Sequence, residues 1–245
     1  MIVGFVGSGS MAAAMARGWR GEFEGMLFSD SGSGRAKALA EDLDGEAVSN
    51  AEIAARADFV VLAVKPAMLA DAAAELGAAK VVVSLLGATS LDTVVAAFPG
   101  ATAVRVMPNV GVEVGRGVLC LAGEAPEAVR AKLGLLGRVV DLPDVDFDAA
   151  TAVMGCSPAY LALAVEAIAE AGAADGLDPK LALELVTETA LGTAELLRSH
   201  SPAEVRKAVA SPGGSTEAGL ESLAASGAAG AFEAAVEASL KRMRG

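Results

Sequence analysis

The sequence predicts an α/β protein, a doubly wound parallel sheet followed by an all-helical domain. Three observations carry this. Short β-rich runs alternate with helix-forming stretches through residue 145. Beyond Asp146 β-rich runs are scarce, while helix starts recur. Between the first strand and the first helix, the apolar run Ile2–Val6 breaks into a glycine-rich turn.

Strands are expected at Ile2–Val6, Met26–Ser29, Phe59–Val64, Lys80–Leu85, Ala103–Val106, Val118–Ala122 and Val139–Leu142. Runs such as Phe59-Val60-Val61-Leu62-Ala63-Val64 are apolar at every position, as suits strands covered on both faces. Helical runs lie between them, for example Arg35–Asp42 and Pro126–Leu136. In the second part, Ser157-Pro158 is expected to open a helix to about Gly172, and Asp178-Pro179 another to about Arg198. Ser201-Pro202 opens a third, with Glu204 completing a capping box. Gly176 and the pair Gly213-Gly214 punctuate these helices. The expected domains are therefore 1–145 and 146–245. The run Tyr160–Ile168 is apolar nearly all round, which predicts a helix buried on more than one face. Its alanines contribute little burial each, so a homodimer sharing helices through residues 146–245 is expected.

Composition narrows the function. Acidic residues outnumber basic ones 31 to 19, for a net charge of -12, which argues against a nucleic-acid binder. An anionic ligand would need a local electropositive pocket. Cys120 and Cys156 are too few for a disulfide framework and read as reduced thiols of a cytoplasmic protein. No uncharged apolar run reaches the roughly 20 residues of a membrane span, and no signal peptide is expected. Metal chemistry has little support: His200 is the single histidine, and its place before the Ser201 capping box suggests a structural role.

The turn Gly7-Ser8-Gly9-Ser10-Met11-Ala12 has the spacing of a dinucleotide pyrophosphate site. Gly7 allows the tight bend, Gly9 lets backbone N–H groups approach phosphates, and Ala12 lets helix and strand pack closely. The alternative is an ordinary glycine turn in another α/β unit. Lys65-Pro66 follows a strand, so Lys65 would stand beside the ligand crevice, or simply begin a solvated loop. Asn109, after Met107-Pro108, offers amide donors and an acceptor suited to a nicotinamide carboxamide, or serves as a turn residue. Ser211-Pro212-Gly213-Gly214-Ser215-Thr216 precedes a helix and could form a nest of donors for a carboxylate, or a flexible loop with a hydroxyl cap.

Taken in order, these segments resemble the pyrroline-5-carboxylate reductase family over nearly the whole chain. The resemblance runs through Gly4–Ala12, Asn50, Leu62-Ala63-Val64-Lys65-Pro66 and Val104-Arg105-Val106-Met107-Pro108-Asn109. It continues through Gly155–Tyr160 and His200-Ser201-Pro202, and closes on Ser211–Thr216. It implies an N-terminal Rossmann domain, a helical domain interlocked in a dimer that in some members builds rings, and hydride transfer from NAD(P)H to a small anionic cyclic imine. It further implies that Gly7, Ser8, Gly9, Ser10 and Met11 cradle the pyrophosphate. Asn50 would contact the adenosine end, and Ala63, Lys65, Pro66 and Asn109 would line the cofactor nearer the nicotinamide. Ser211, Gly213, Gly214, Ser215 and Thr216 would hold the substrate carboxylate, with Thr216 also near the ring nitrogen as the catalytic residue.

The chain departs from the family pattern at Met154-Gly155-Cys156-Ser157, at Val110-Gly111 and at Gly87-Ala88, so another imine substrate, or loss of activity, is a second expectation. Cofactor choice rests on Asp30, Ser31 and Arg35. A carboxylate after the second strand accepts from a ribose 2′-hydroxyl and repels a 2′-phosphate, whereas Arg35 and the serines could bind that phosphate. The balance leans slightly to NADH. Two rivals remain: a β-hydroxyacid dehydrogenase, which would need a lysine–asparagine pair that the helical part lacks, and a non-catalytic dinucleotide sensor.

Overall fold

The apolar run Ile2–Val6 becomes β1, whose residues Val3, Phe5 and Val6 are buried completely or nearly so. The computed structural model describes residues 1–244. Its eight strands form one sheet in the order β3-β2-β1-β4-β5-β6-β7-β8. They are β1, β2 (Gly25–Ser29), β3 (Glu46–Ala47), β4 (Phe59–Leu62), β5 (Val81–Ser84), β6 (Thr102–Pro108), β7 (Gly117–Ala122) and β8 (Gly137–Asp141). All neighbours are parallel except β6 and β7. The exception corrects the expectation of an all-parallel sheet, and its cause is chain length. The connection 109–116 is too short for a parallel crossover, which needs about a dozen residues or more. The two-residue β3, lying at the sheet edge with both residues exposed, has no apolar run to announce it.

Helices α1 (Ser10–Gly18), α2 (Arg35–Leu43) and α6 (Glu127–Leu135) cover one face, and α3 (Asn50–Arg56), α4 (Leu69–Glu75) and α5 (Leu91–Ala97) the other. Side chains of β1 alternate between them: Val3 and Phe5 join the first core, Val6 the second. Trp19, fully buried after α1, packs against Phe5, Phe23 and Phe59 and donates its Nε1–H to the Lys132 carbonyl at 2.7 Å.

Contacts divide the chain into two units, Met1–Cys156 with the residues from Leu240 onward, and Ser157–Ser239. The stretch after Asp146 thus begins inside the first unit: Phe147, in α7 (Phe147–Ala150), is buried with Cys120 and Ala122. Here a buried guanidinium meets a partly buried carboxylate. Arg105, 5% exposed, donates Nη1–H to Asp144 Oδ1 at 2.8 Å, and its guanidinium lies 4.5 Å from the Phe147 ring centroid. The other Asp144 oxygen accepts from the Leu91 N–H at 2.9 Å. One aspartate therefore joins α5, β6 and the approach to α7.

A helix starts at Ser157 as expected and ends at Ala174, two residues past Gly172; the turns wound ahead of it were not expected. Residues Asp144–Ala174 are wound continuously, first as a 3-10 turn, then through α7 and a π turn at Thr151–Gly155, into α8 (Ser157–Ala174). This stretch is long and apolar enough, by length and composition, to cross a membrane, although Asp148, Glu166 and Glu170 keep it from being an uncharged run. The second unit continues with α9 (Pro179–Leu196), α10 (Pro202–Val209), α11 (Ser215–Ala225) and α12 (Ala228–Arg244). Asp178 and Ser201 cap α9 and α10 as the sequence predicts. Within a single chain, only Ala169 and Ala182 are buried among the described residues of this unit, and Leu161, Leu163 and Ile168 of α8 are at least 60% exposed.

Removing the aspartate partner tests the pair at Arg105. Asp144→Ala should lower unfolding stability by about 3 kcal/mol, because it strands a buried guanidinium. Urea denaturation checks this; a loss below about 1 kcal/mol, the range of an exposed pair, would contradict it.

Candidate functional site

The strand order reverses between β1 and β4, and such sheets bind ligands beyond the carboxyl ends of the strands at that reversal. A cavity of about 510 Å³ lies there. It brings together Gly7, Ser8, Gly9, Asp30, Ser31, Arg35, Asn50, Ala63 and Lys65 of the residues singled out from sequence. Ser10 instead bounds an adjoining cavity of about 430 Å³, with Arg17 and again Arg35. Met11 packs against the core, and Pro66 starts a short 3-10 turn after Lys65.

The bend is built by contacts that specify each position. Gly7 has φ +93°, and a Cβ there would fall 2.6 Å from the Ala63 carbonyl oxygen, so no other residue fits without displacing β4. Its N–H donates to the Ser29 carbonyl at 3.1 Å, and the buried Ser8 hydroxyl donates to the same oxygen at 3.0 Å. The Ser8 side chain is thus a tie between bend and β2. Gly9 differs: nothing lies within 4 Å of where its Cβ would stand. Its carbonyl accepts the first α1 bond from Ala13 at 2.9 Å, so the N–H groups of Ser10, Met11 and Ala12 have no partner within the helix. Open space beside free donors at a helix start suits an anion.

Asp30 is not the free carboxylate that the sequence reading requires. Oδ1 accepts from the Gly32 and Ser33 N–H groups at 2.7 and 3.0 Å, and Oδ2 from the Ser33 hydroxyl and the Ala36 N–H at 2.9 and 2.8 Å. Four donors fill the roughly four lone-pair positions of a carboxylate. Asp30 thereby closes its own loop and caps α2, whose first residue follows Gly34 at φ +78°. The donors, led by the Ala36 N–H, hold its pKa down from 3.8 to about 2. Arg35 Nε–H donates to the Ser33 hydroxyl at 3.0 Å.

Asn109 is likewise engaged. Its Oδ1 accepts from the Val118 N–H at 3.1 Å, and its Nδ2–H donates to the Met154 carbonyl at 3.1 Å. The second bond has a clear origin. Pro158 has no N–H, so the carbonyl four residues earlier lacks its helical donor, and Asn109 supplies one. Asn109 is a clamp between β7 and the π turn, with one N–H remaining.

In the helical unit, Ser211 to Thr216 form a tight bend with Gly213 at φ +72°. The Gly213 N–H donates to Glu217 Oε2 at 2.6 Å and the Gly214 N–H to the Ser211 carbonyl at 2.9 Å. Both glycine donors of the expected nest are therefore occupied. Ser215 and Thr216 open α11 with exposed side chains, and their N–H groups are the helix-start donors. His200 is exposed, with Nδ1 3.0 Å from the Ser199 hydroxyl.

Sequence reasoning missed the wall supplied by Met68, Asp71, Ala72 and Glu75. Their spacing of i, i+3, i+4 and i+7 marks one helical stripe, which was the available signal. Two of the four are acidic, so the stripe reads as a solvated face. Among the described residues no group of three or more His, Cys, Asp or Glu side chains could hold a metal ion.

A glycine bend at the reversal of a doubly wound sheet defines a dinucleotide-dependent oxidoreductase class. Residues 2–87 match the family model "NADP oxidoreductase coenzyme F420-dependent", and residues 144–245 match "Pyrroline-5-carboxylate reductase dimerisation". The chain is 34% identical to a pyrroline-5-carboxylate reductase of Thermus thermophilus, with 99% of this chain and 97% of that protein covered. It is similar to the 1-pyrroline-5-carboxylate reductase of Streptococcus pyogenes, with a TM-score of 0.87 at 30% identity over 99% of this chain and 98% of that one. A Plasmodium falciparum pyrroline carboxylate reductase with NADP bound also superposes at TM-score 0.87, at 26% identity over 99% and 97% of the two chains. The chain belongs to the pyrroline-5-carboxylate reductase family.

The loop at Asp30 makes a pH prediction. Its folded pKa lies below the unfolded value, so its ionised form stabilises the fold fully above pH 3.8, and that contribution disappears as pH falls through about 2. Wild type should therefore exceed Asp30→Asn in stability by a constant margin near neutrality that closes over this acid window. A margin independent of pH would contradict the bonding described.

Proposed function

We propose that this protein is an NAD(P)H-dependent reductase converting the cyclic imine 1-pyrroline-5-carboxylate to proline. The observation that carries the reading is the Gly9 position, open space beside the free N–H groups that begin α1. The Thermus and Streptococcus relatives support the substrate, and the Plasmodium structure supports the dinucleotide.

Bound NAD(P)H supplies the hydride. Gly9, Ser10 and Met11 would hold the pyrophosphate through backbone N–H groups, with Gly7 and Ser8 fixing their bend. Asn50 meets the adenosine end. Ala63, Lys65 and Pro66 border the nicotinamide half, where Asn109 keeps the adjoining backbone in place and has one N–H to offer. Ser211, Ser215 and Thr216 hold the substrate carboxylate with hydroxyls and the α11 N–H groups, while Gly213 and Gly214 shape the bend. A protonated imine is already electrophilic, so the protein needs no strong general base. It must hold the imine carbon and orient its nitrogen, and Thr216 positions that nitrogen or relays a proton through water.

With the Asp30 lone pairs filled, the ribose-acceptor argument for NADH loses its support, and Ser31 and Arg35 are left to meet a 2′-phosphate. NADPH is therefore used at least as well as NADH. Residues 1–145 serve as the dinucleotide domain and 146–245 as the substrate and dimerisation domain of a cytoplasmic homodimer. The exposed leucines of α8 and α9 support that pairing: Leu161, Leu163 and Leu191 stand 63–66% exposed in one chain, and a second copy would cover them without any bilayer.

Adding 1-pyrroline-5-carboxylate to protein and NADPH, or NADH, should oxidise the nucleotide. Thr216→Ala should lower kcat/KM by about 1–3 kcal/mol of transition-state stabilisation, the scale of one hydrogen bond. Nucleotide binding with no turnover would overturn the reductase reading in favour of a sensor, and unchanged kinetics in the variant would remove Thr216 from the mechanism.

A further inference from the structure

A hydrogen-bonded chain crosses the cleft at its adenosine end, and only its middle residue has been given a role. Ser29, 6% exposed at the end of β2, donates its Oγ–H to Asn50 Oδ1 at 2.5 Å. Asn50, the first residue of α3, donates Nδ2–H to Glu75 Oε2 at 2.6 Å. Glu75 is the last residue of α4, and all three line the same cavity.

Chemistry fixes the direction of this chain. An ionised carboxylate only accepts, so the amide nitrogen must face Glu75 and the amide oxygen must face Ser29. The Ser29 hydroxyl alone could not decide this, because it donates or accepts equally well. Its other acceptor, the Phe5 carbonyl, is farther away at 3.4 Å. With Glu75 removed, the amide could turn over and present its groups in exchanged positions. With Glu75 present, Asn50 keeps one N–H and one lone pair of Oδ1 in fixed places.

We propose that Glu75 is a positioning residue for the dinucleotide, fixing the Asn50 amide so that one orientation of its N–H and carbonyl meets the adenosine half. The inference rests on the proposed nucleotide reading of the cleft. Glu75 needs no direct contact with the ligand to act in this way. Its bond to the amide is charge-assisted, which makes it stronger than the hydroxyl bond on the other side.

The test titrates the full-length protein with NADPH, following nicotinamide fluorescence, for wild type, Glu75→Ala, Glu75→Gln and Asn50→Ala. Glu75→Ala should raise the NADPH Kd about tenfold, the scale of one hydrogen bond to a charged group. In steady state its KM for NADPH should rise alike, with kcat and the KM for 1-pyrroline-5-carboxylate unchanged. Glu75→Gln should recover only part of the affinity, since its Oε1 accepts the same N–H while its NH2 can also donate to a turned-over Asn50 amide. An unaltered Kd in Glu75→Ala while Asn50→Ala binds weakly would overturn the inference and leave the nucleotide reading standing. A fall in kcat and melting temperature together, without recovery in Glu75→Gln, would reduce Glu75 to a structural residue and also overturn it. Unaltered binding in Asn50→Ala as well would bring down the reading of the cleft and this inference with it.

Discussion

The close approach of the Gly7 bend to the end of β4 is the constraint on which the rest of the first unit depends. Because a Cβ at Gly7 would strike the Ala63 carbonyl, the chain can leave β1 there only as glycine. The bend is then tied sideways to β2 through two bonds to the Ser29 carbonyl. These contacts set where α1 begins, and so where its unpaired N–H groups point. They also bring the ends of β1, β2 and β4 to one place, where Asp30, Asn50 and Lys65 surround a single cavity. The same Ser29 that receives the bend on its backbone oxygen directs Asn50 with its hydroxyl.

The architecture was legible wherever a local rule acts alone. Apolar runs announced the long strands, proline after a capping side chain announced α9 and α10, and glycine spacing announced the bend. What failed to show were outcomes set by how the chain turns back on itself, near or far in sequence. Asp30 looks like a ribose acceptor until Gly32, Ser33 and Ala36 turn back onto it. Asn109 looks like a ligand donor until the carbonyl left unpaired by Pro158 is brought against it. Helix α8 begins at Ser157 as its Ser-Pro pair suggests, but nothing local announces the turns wound before it, which Phe147 anchors against β7. Asp71 and Glu75 resemble any solvated helix face, and only the packing of α4 makes them a wall of the cleft.

The helical unit obeys a different balance. Helices α9 and α10 have side-chain caps and the unit is rich in strong helix formers, so local propensity accounts for much of their shape. Within one chain their apolar side chains are left uncovered, with only Ala169 and Ala182 buried among the described residues of the unit. Such a surface has no stabilising core of its own and gains one by association with an apolar partner. Residues 144–245 match a dimerisation family, which agrees with that physical requirement. The bend at Ser211–Thr216 belongs to this unit, so the geometry of the proposed substrate site depends on how the helices are held.

NADPH titration of wild type and Gly9→Leu measures whether the space beside Gly9 holds a pyrophosphate. A leucine there meets no protein atom at its Cβ, so the fold and its melting temperature should be retained. Wild type should bind saturably and Gly9→Leu should not bind. Equal binding by both proteins would contradict a pyrophosphate site there.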